Sequence, residues 1–132
     1  MSLYITDTHP LVWYATNQHA KLTRKVIRIF DQAEQGQVLI YVPAVTFWEI
    51  SFLVKNGRIR LKQPFDQWAA ALVALRGFDL APLELEVIAE AHNLTFDDPF
   101  DAAIVATAKV KDLSLITKDE IITGSGMVNV EW

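Results

Sequence analysis

Along this chain, apolar positions switch repeatedly between a strand-like run and a helix-like period. Residues 3–6 form a short apolar run suited to a strand, and residues 9–15 bring Leu11, Val12 and Tyr14 onto one helical face. A clearer amphipathic helix is predicted over 22–33, with Leu22, Val26, Ile29, Phe30 and Ala33 at helical spacing and Gly36 beyond its end. Lys21, Arg24, Lys25 and Arg28 occupy its opposite face. Residues 38–42 read as a buried strand closed by Pro43, 46–55 as a helix stopped at Asn56-Gly57, and 65–75 as a helix opened by Pro64. A short strand at 78–81 precedes helices at 83–92 and 99–110, the second with proline at its first position. Strands at 113–117 and 127–130 complete the set.

Strands therefore alternate with helices. The runs VLIYV and LSLIT lack apolar–polar alternation, which is the pattern of a strand covered on both faces. The expected fold class is α/β, a three-layer α/β/α sandwich with a central parallel sheet. Ligands of such sheets bind beyond the carboxyl ends of the strands. No repeat, low-complexity tract or linker interrupts the pattern, so one domain over residues 1–132 is expected.

Composition narrows the chemistry. Apolar residues make up 52% of the chain, ample for a core, and the formal net charge is −4. A protein that holds nucleic acid by bulk charge would be basic, so contact with phosphate here needs local patches or a metal ion. The absence of cysteine removes disulfides and thiolate zinc sites. MSLYITD reaches an acid too early for a signal peptide, and no run approaches the ~18 apolar residues of a membrane span. The expectation is a soluble, cytoplasmic protein.

The acids fall at recurrent places. Asp7 directly follows the first strand, and Asp119 follows LSLIT. Glu49 stands in the first turn of the 46–55 helix, while Asp98 and Asp101 open the 99–110 helix on one face. Each has a local explanation. Asp7, Asp98 and Asp119 suit helix N-caps, Thr46 and Glu49 have capping-box spacing, and Asp101 suits a helix dipole. Together, however, the strand-end rule puts Asp7, Glu49, Asp101 and Asp119 on one sheet edge. Clustered carboxylates oppose joint ionisation, and a hard divalent cation such as magnesium or manganese relieves that repulsion. An ion so held polarises phosphate and acidifies bound water, which is the chemistry of phosphodiester hydrolysis.

The segments ITDTHPLVWY, VPAVTFWEISFLVKNGRIRL, DDPFDAAIVATA and LSLITKDE, with the terminal VNVEW, span nearly the whole chain. In that order they resemble PIN-domain ribonucleases, and closely the toxin subunits of VapBC-type toxin–antitoxin pairs. The resemblance implies the PIN fold and a magnesium- or manganese-dependent endoribonuclease. It assigns catalytic and metal-binding roles to Asp7, Glu49, Asp101 and Asp119, with Asp7 and Asp101 the most direct ligands. Thr6, Thr8 and Thr117 would orient ligands or waters, and Asp98 would support the site. It also implies an RNA substrate, a cognate antitoxin and a homodimer. One departure bears on RNA affinity. Many relatives read HRDPFDR where this chain reads FDDPFDA, so Asp97 and Ala102 replace two arginines.

Two basic groups could meet RNA: the Lys21, Arg24, Lys25 and Arg28 stripe, and Lys55, Arg58, Arg60 and Lys62 after the Glu49 helix. The second follows a site helix and is the expected RNA contact. His9, His19 and His92 lack ligand spacing, although His9 lies two residues from Asp7 at the rim of the predicted site. Trp13, Trp48, Trp68 and Trp132 read as core residues. No Gly-rich phosphate loop or nucleophile elbow is present. The alternative function is a non-catalytic PIN-like module that binds RNA or protein without cutting.

Overall fold

The computed structural model describes residues 1–132. Its centre is a five-stranded sheet in the order β3-β2-β1-β4-β5, with every neighbouring pair parallel. The strands are β1 (Leu3–Thr6), β2 (Leu39–Pro43), β3 (Phe78–Ala81), β4 (Ser114–Ile116) and β5 (Val130–Glu131). Between and around them lie α1 (Thr8–Ala15), α2 (Arg24–Glu34), α3 (Ala44–Lys55), α4 (Phe65–Ala74), α5 (Leu85–His92), α6 (Pro99–Lys111) and α7 (Glu120–Ser125). No helix is long and apolar enough to cross a membrane.

Successive strand residues point to opposite faces, and here both faces are apolar. Ile40, Val42 and Ile116 join Leu11, Val26, Phe30 and Ile50 in one core cluster. Ile5 and Leu115 join Val45, Ile104, Val105 and Ile122 in the other. Two dry faces explain why VLIYV and LSLIT are continuously apolar, and they make the three-layer α/β/α arrangement that the pattern predicts.

Most boundaries move by a residue or two. The larger differences have local causes. Thr23, not Leu22, opens α2, because its side chain accepts a hydrogen bond from the Val26 amide at 3.2 Å. Pro43 precedes α3, which therefore starts at Ala44 rather than Thr46. Thr46 is then a buried residue inside the first turn, not an N-cap, and the capping-box reading of Thr46 and Glu49 is corrected. Helix α7, capped by Asp119, is a six-residue element that the hydrophobic pattern does not predict.

One close approach fixes the α2–β3 layer. A Cβ on Gly77 would lie 1.8 Å from the Ala33 carbonyl oxygen and 2.5 Å from the Ala33 Cα. Backbone, not a flexible side chain, would have to yield. Gly77→Ala is expected to cost about 1–3 kcal/mol, seen as a melting temperature lowered by roughly 5 °C. An unchanged melting curve would contradict this packing.

Candidate active site

The strand order determines where a site can form. The chain winds from β1 outward through β2 to β3, then returns to β4 on the other side of β1. The switch point is thus the crevice beyond the carboxyl ends of β1 and β4, where ligands of open parallel sheets bind. Thr6 pairs with Ile116 at the end of this ladder, and the Asp7 amide donates to the Ile116 carbonyl at 2.9 Å. Asp7 and Thr117 therefore emerge side by side.

Buried hydroxyls and backbone amides then fix the acids. Asp7 is only 7% exposed. Its Oδ2 accepts from Thr117 Oγ1 at 2.7 Å and its Oδ1 from the Thr8 amide at 2.8 Å, so it also caps α1. The same Thr117 hydroxyl accepts from the Asp119 amide at 3.0 Å. Thr8 Oγ1 donates to Glu49 Oε1 at 2.6 Å, tying α1 to α3. Asp119 Oδ1 accepts from the Ile121 and Ile122 amides at 2.8 and 3.0 Å and caps α7. Asp98 caps α6 through the Phe100 amide at 2.8 Å, which places Asp101 in the first turn of that helix. Capping and clustering are thus compatible: Asp7, Asp98 and Asp119 do both.

The electrostatics record the crowding. Burial first, then the fields of Asp98, Asp7, Asp119 and Glu49, push the Asp101 carboxyl up to about 7. Asp7 is raised by burial and by Asp119, against the opposing pull of Thr117, Thr8 and His9. Glu49 is likewise raised by burial and by Asp7 and Asp98, against Thr8 and His9. Five carboxylates share one field, and His9 opposes it at Asp7 and Glu49.

This donor set suits a hard divalent ion. No three acid or imidazole side chains stand close enough together to enclose an ion by themselves. Magnesium does not demand such a cage, since it keeps several waters and takes one or two carboxylates directly. All-oxygen ligands and mutual repulsion both favour that class of ion.

The structure thus brings Asp7, Glu49, Asp98, Asp101, Asp119, Thr8 and Thr117 into one region. It leaves Lys55, Arg58 and Arg60 elsewhere. Helix α3 starts at the site edge, and Lys55 lies six residues past Glu49, ~9 Å further along the axis. All three cations are exposed in and beyond its last turn. The other basic stripe is divided, since Lys25 pairs with Glu131 and Lys21 lies over the Trp13 ring. Trp48 is not a core residue but 58% exposed, beside Phe52 and Phe100. A cleft of about 310 Å³ runs from Asp7 and Asp119 to His9, Trp13 and Lys118. Sequence reasoning missed it, although the four-residue spacing of His9 and Trp13 puts both on one face of α1.

An α/β/α sheet with an acid cluster at its switch point is the class that this architecture defines. A family model described as the PIN domain matches residues 4–123, and the chain belongs to that family. Ribonuclease VapC22 of Mycobacterium tuberculosis is 24% identical over 120 residues, covering 90% of this chain and 88% of that protein. Among solved structures, VapBC2 from Rickettsia felis, bound to a DNA fragment from its promoter, matches with a TM-score of 0.69 at 13% identity. That match covers 98% of this chain and 97% of the other. A toxin–antitoxin complex from Klebsiella pneumoniae matches with a TM-score of 0.57 at 20% identity, over 97% of this chain and 95% of the other.

Proposed function

We propose that this chain, as one PIN domain over residues 1–132, is a divalent-metal-dependent endoribonuclease acting as the toxin of a cytoplasmic toxin–antitoxin pair. The observation that carries the reading is the set of five carboxylates at the switch point of a PIN fold, where burial first and then the neighbouring acids raise Asp101 to about 7. The ribonuclease and toxin–antitoxin relatives support the substrate and the partner.

Asp7 and Asp101 would hold magnesium or manganese directly, with Glu49 and Asp119 completing the site directly or through water. The bound ion would supply Lewis acidity and a more acidic water. The protein's own groups do the positioning. Thr117 and the Thr8 amide hold the two oxygens of Asp7 in one orientation. Thr8 Oγ1 holds Glu49 Oε1, which leaves Oε2 to take the proton from a water attacking phosphorus in line. The ends of β1 and β4 together with helices α1 and α3 position these groups.

The direct test is incubation of a mixed structured-RNA pool with the protein in EDTA, Mg²⁺ or Mn²⁺. Cleavage only with metal supports the nuclease. Binding of RNA without cleavage under any condition would favour the non-catalytic module instead.

The exposed Lys55, Arg58 and Arg60 would then serve as a distal contact for RNA extending along α3. Arg58→Glu is expected to flatten the dependence of log Kd on log salt by about 0.7 or more. An unchanged slope in a salt titration would remove this patch from the binding surface.

A homodimer has a candidate surface. Trp48, Leu83, Ile88 and Phe100 line an apolar hollow of about 330 Å³, and Trp48, Leu83 and Ile88 are 58%, 41% and 47% exposed. Contiguous exposure of this kind marks protein contacts. Light scattering is expected to give a dimer mass, and Trp48→Asp to reduce it to a monomer; a wild-type monomer at high concentration would contradict the dimer.

A further inference from the structure

We propose that the cleft beside the acid cluster is a nucleotide subsite, in which Trp13 stacks one base of single-stranded RNA and Lys118 meets the adjoining phosphate. This deepens the nuclease reading and rests on it. The cleft opens from Asp7 and Asp119, so a base within it lies next to any phosphodiester presented to the acids. Its volume of about 310 Å³ is at the lower end for small-molecule sites. That is room for one nucleotide.

The indole is the focus of the local cations. Lys21 Nζ lies 5.6 Å from the Trp13 ring centroid and Lys118 Nζ 5.9 Å, each within cation–π range. They come from separate elements: Lys21 from the short 3₁₀ turn His19–Lys21, and Lys118 from the loop between β4 and α7. Neither has a carboxylate partner, since the ion pairs of this structure are Lys25–Glu131 and Lys109–Glu90. His9 stands 5.9 Å from the same ring, centroid to centroid.

Alternatives for these residues explain less. Trp13 does pack one side against the core, with Trp132 edge-on at 6.3 Å. A purely structural indole, however, would not need to line an open cleft shared with two site acids. The chain carries a net charge of −4, and its acid cluster repels phosphate. RNA therefore needs a cationic approach adjoining the acids. Lys118 supplies a cation in the cleft itself, beside Asp7, Asp119 and Glu120, whereas the Arg58 loop lies beyond the far end of α3. Stacking of an unpaired base on an aromatic ring is the sequence-tolerant mode of single-strand binding.

The test uses fluorescent single-stranded RNA hexamers with Mg²⁺ present and Asp7→Asn to prevent turnover. Adding Trp13→Ala is expected to weaken binding about 10- to 100-fold, whereas Trp13→Phe keeps it within about threefold because a ring remains. A hexamer with one abasic position placed in the cleft should bind the Trp13 and Trp13→Ala proteins alike. Lys118→Gln is expected to lower the salt slope by about 0.7. In the wild-type background, Trp13→Ala should raise KM more than it lowers kcat.

Equal binding of base-containing RNA with Trp13 or alanine would overturn the subsite while leaving the nuclease intact. If Trp13→Ala does not fold, the abasic comparison on the unsubstituted indole decides: no preference for the intact hexamer overturns the proposal. If the wild-type chain neither binds the hexamers nor cuts any RNA with metal, the nuclease reading falls and the subsite with it.

Discussion

Asp7→Asn is expected to reduce metal-dependent RNA cleavage by about 1,000-fold or more while the protein stays folded. The substitution is close to isosteric, so the loss isolates charge. Asparagine Oδ1 can still accept from the Thr8 amide, which holds the present Asp7 Oδ1 at 2.8 Å. On the other side, the new amide would donate to Thr117 Oγ1, which now donates to Asp7 Oδ2. A hydroxyl has two acceptor lone pairs, so Thr117 can take this bond and keep the one from the Asp119 amide. The buried Thr117 hydroxyl proton loses its acceptor, a cost of about 1 kcal/mol that is offset by relief of a desolvated charge. Burial already raises the proton affinity of Asp7, so the neutral side chain is the easier one to bury there. Circular dichroism and melting should stay close to wild type, with cleavage lost in both Mg²⁺ and Mn²⁺. A folded variant that still cuts at the wild-type rate would sink the assignment of Asp7 and, with it, of the switch-point site.

How much of this was legible beforehand follows from what each kind of signal depends on. The parallel sheet was readable because both its faces are dry: VLIYV and LSLIT have no polar alternation to hide. The placement of Asp7 and Asp119 followed from strand ends alone. Their proximity did not, because strand order is not written in any local pattern. It depends on β4 returning to lie beside β1, which only the assembled sheet reveals. The partner of Glu49 was misread for a related reason. Thr46 has the right spacing for a cap, but Pro43 starts the helix earlier, and the hydroxyl that holds Glu49 comes from Thr8, 41 residues away. Trp13 packs against the core as expected, but the lysines that reach its ring come from separate turns. Local chemistry was legible; convergence over long sequence separations was not.

That convergence also has a cost, and it shapes the second large effect. In metal-free buffer, the melting temperature is expected to fall as the pH is raised from about 5 to about 8, and Asp101→Asn to reduce the fall. In the unfolded chain Asp101 titrates near its ordinary value of 3.8; in the folded chain burial and the neighbouring acids push it up to about 7. Between those values the folded state holds a proton that the unfolded state has released. Stability from this group is therefore fully present below 3.8 and is lost as the pH rises through about 7. Asp7 and Glu49 are raised as well, so their contributions carry the same sign. Asp101 is partly exposed, and solvent screening reduces its share to ~1 kcal/mol, or roughly 4 °C of melting temperature. Mg²⁺ or Mn²⁺ added at the upper pH should restore the lost stability, because an ion bound only by the folded state stabilises it by mass action. Asp101→Asn should be more stable than wild type without metal, gain less from metal and lose cleavage. A wild-type melting temperature that stays flat or rises across this range, or an undiminished metal response in Asp101→Asn, would show that the acids do not share one field and that the ion is held elsewhere.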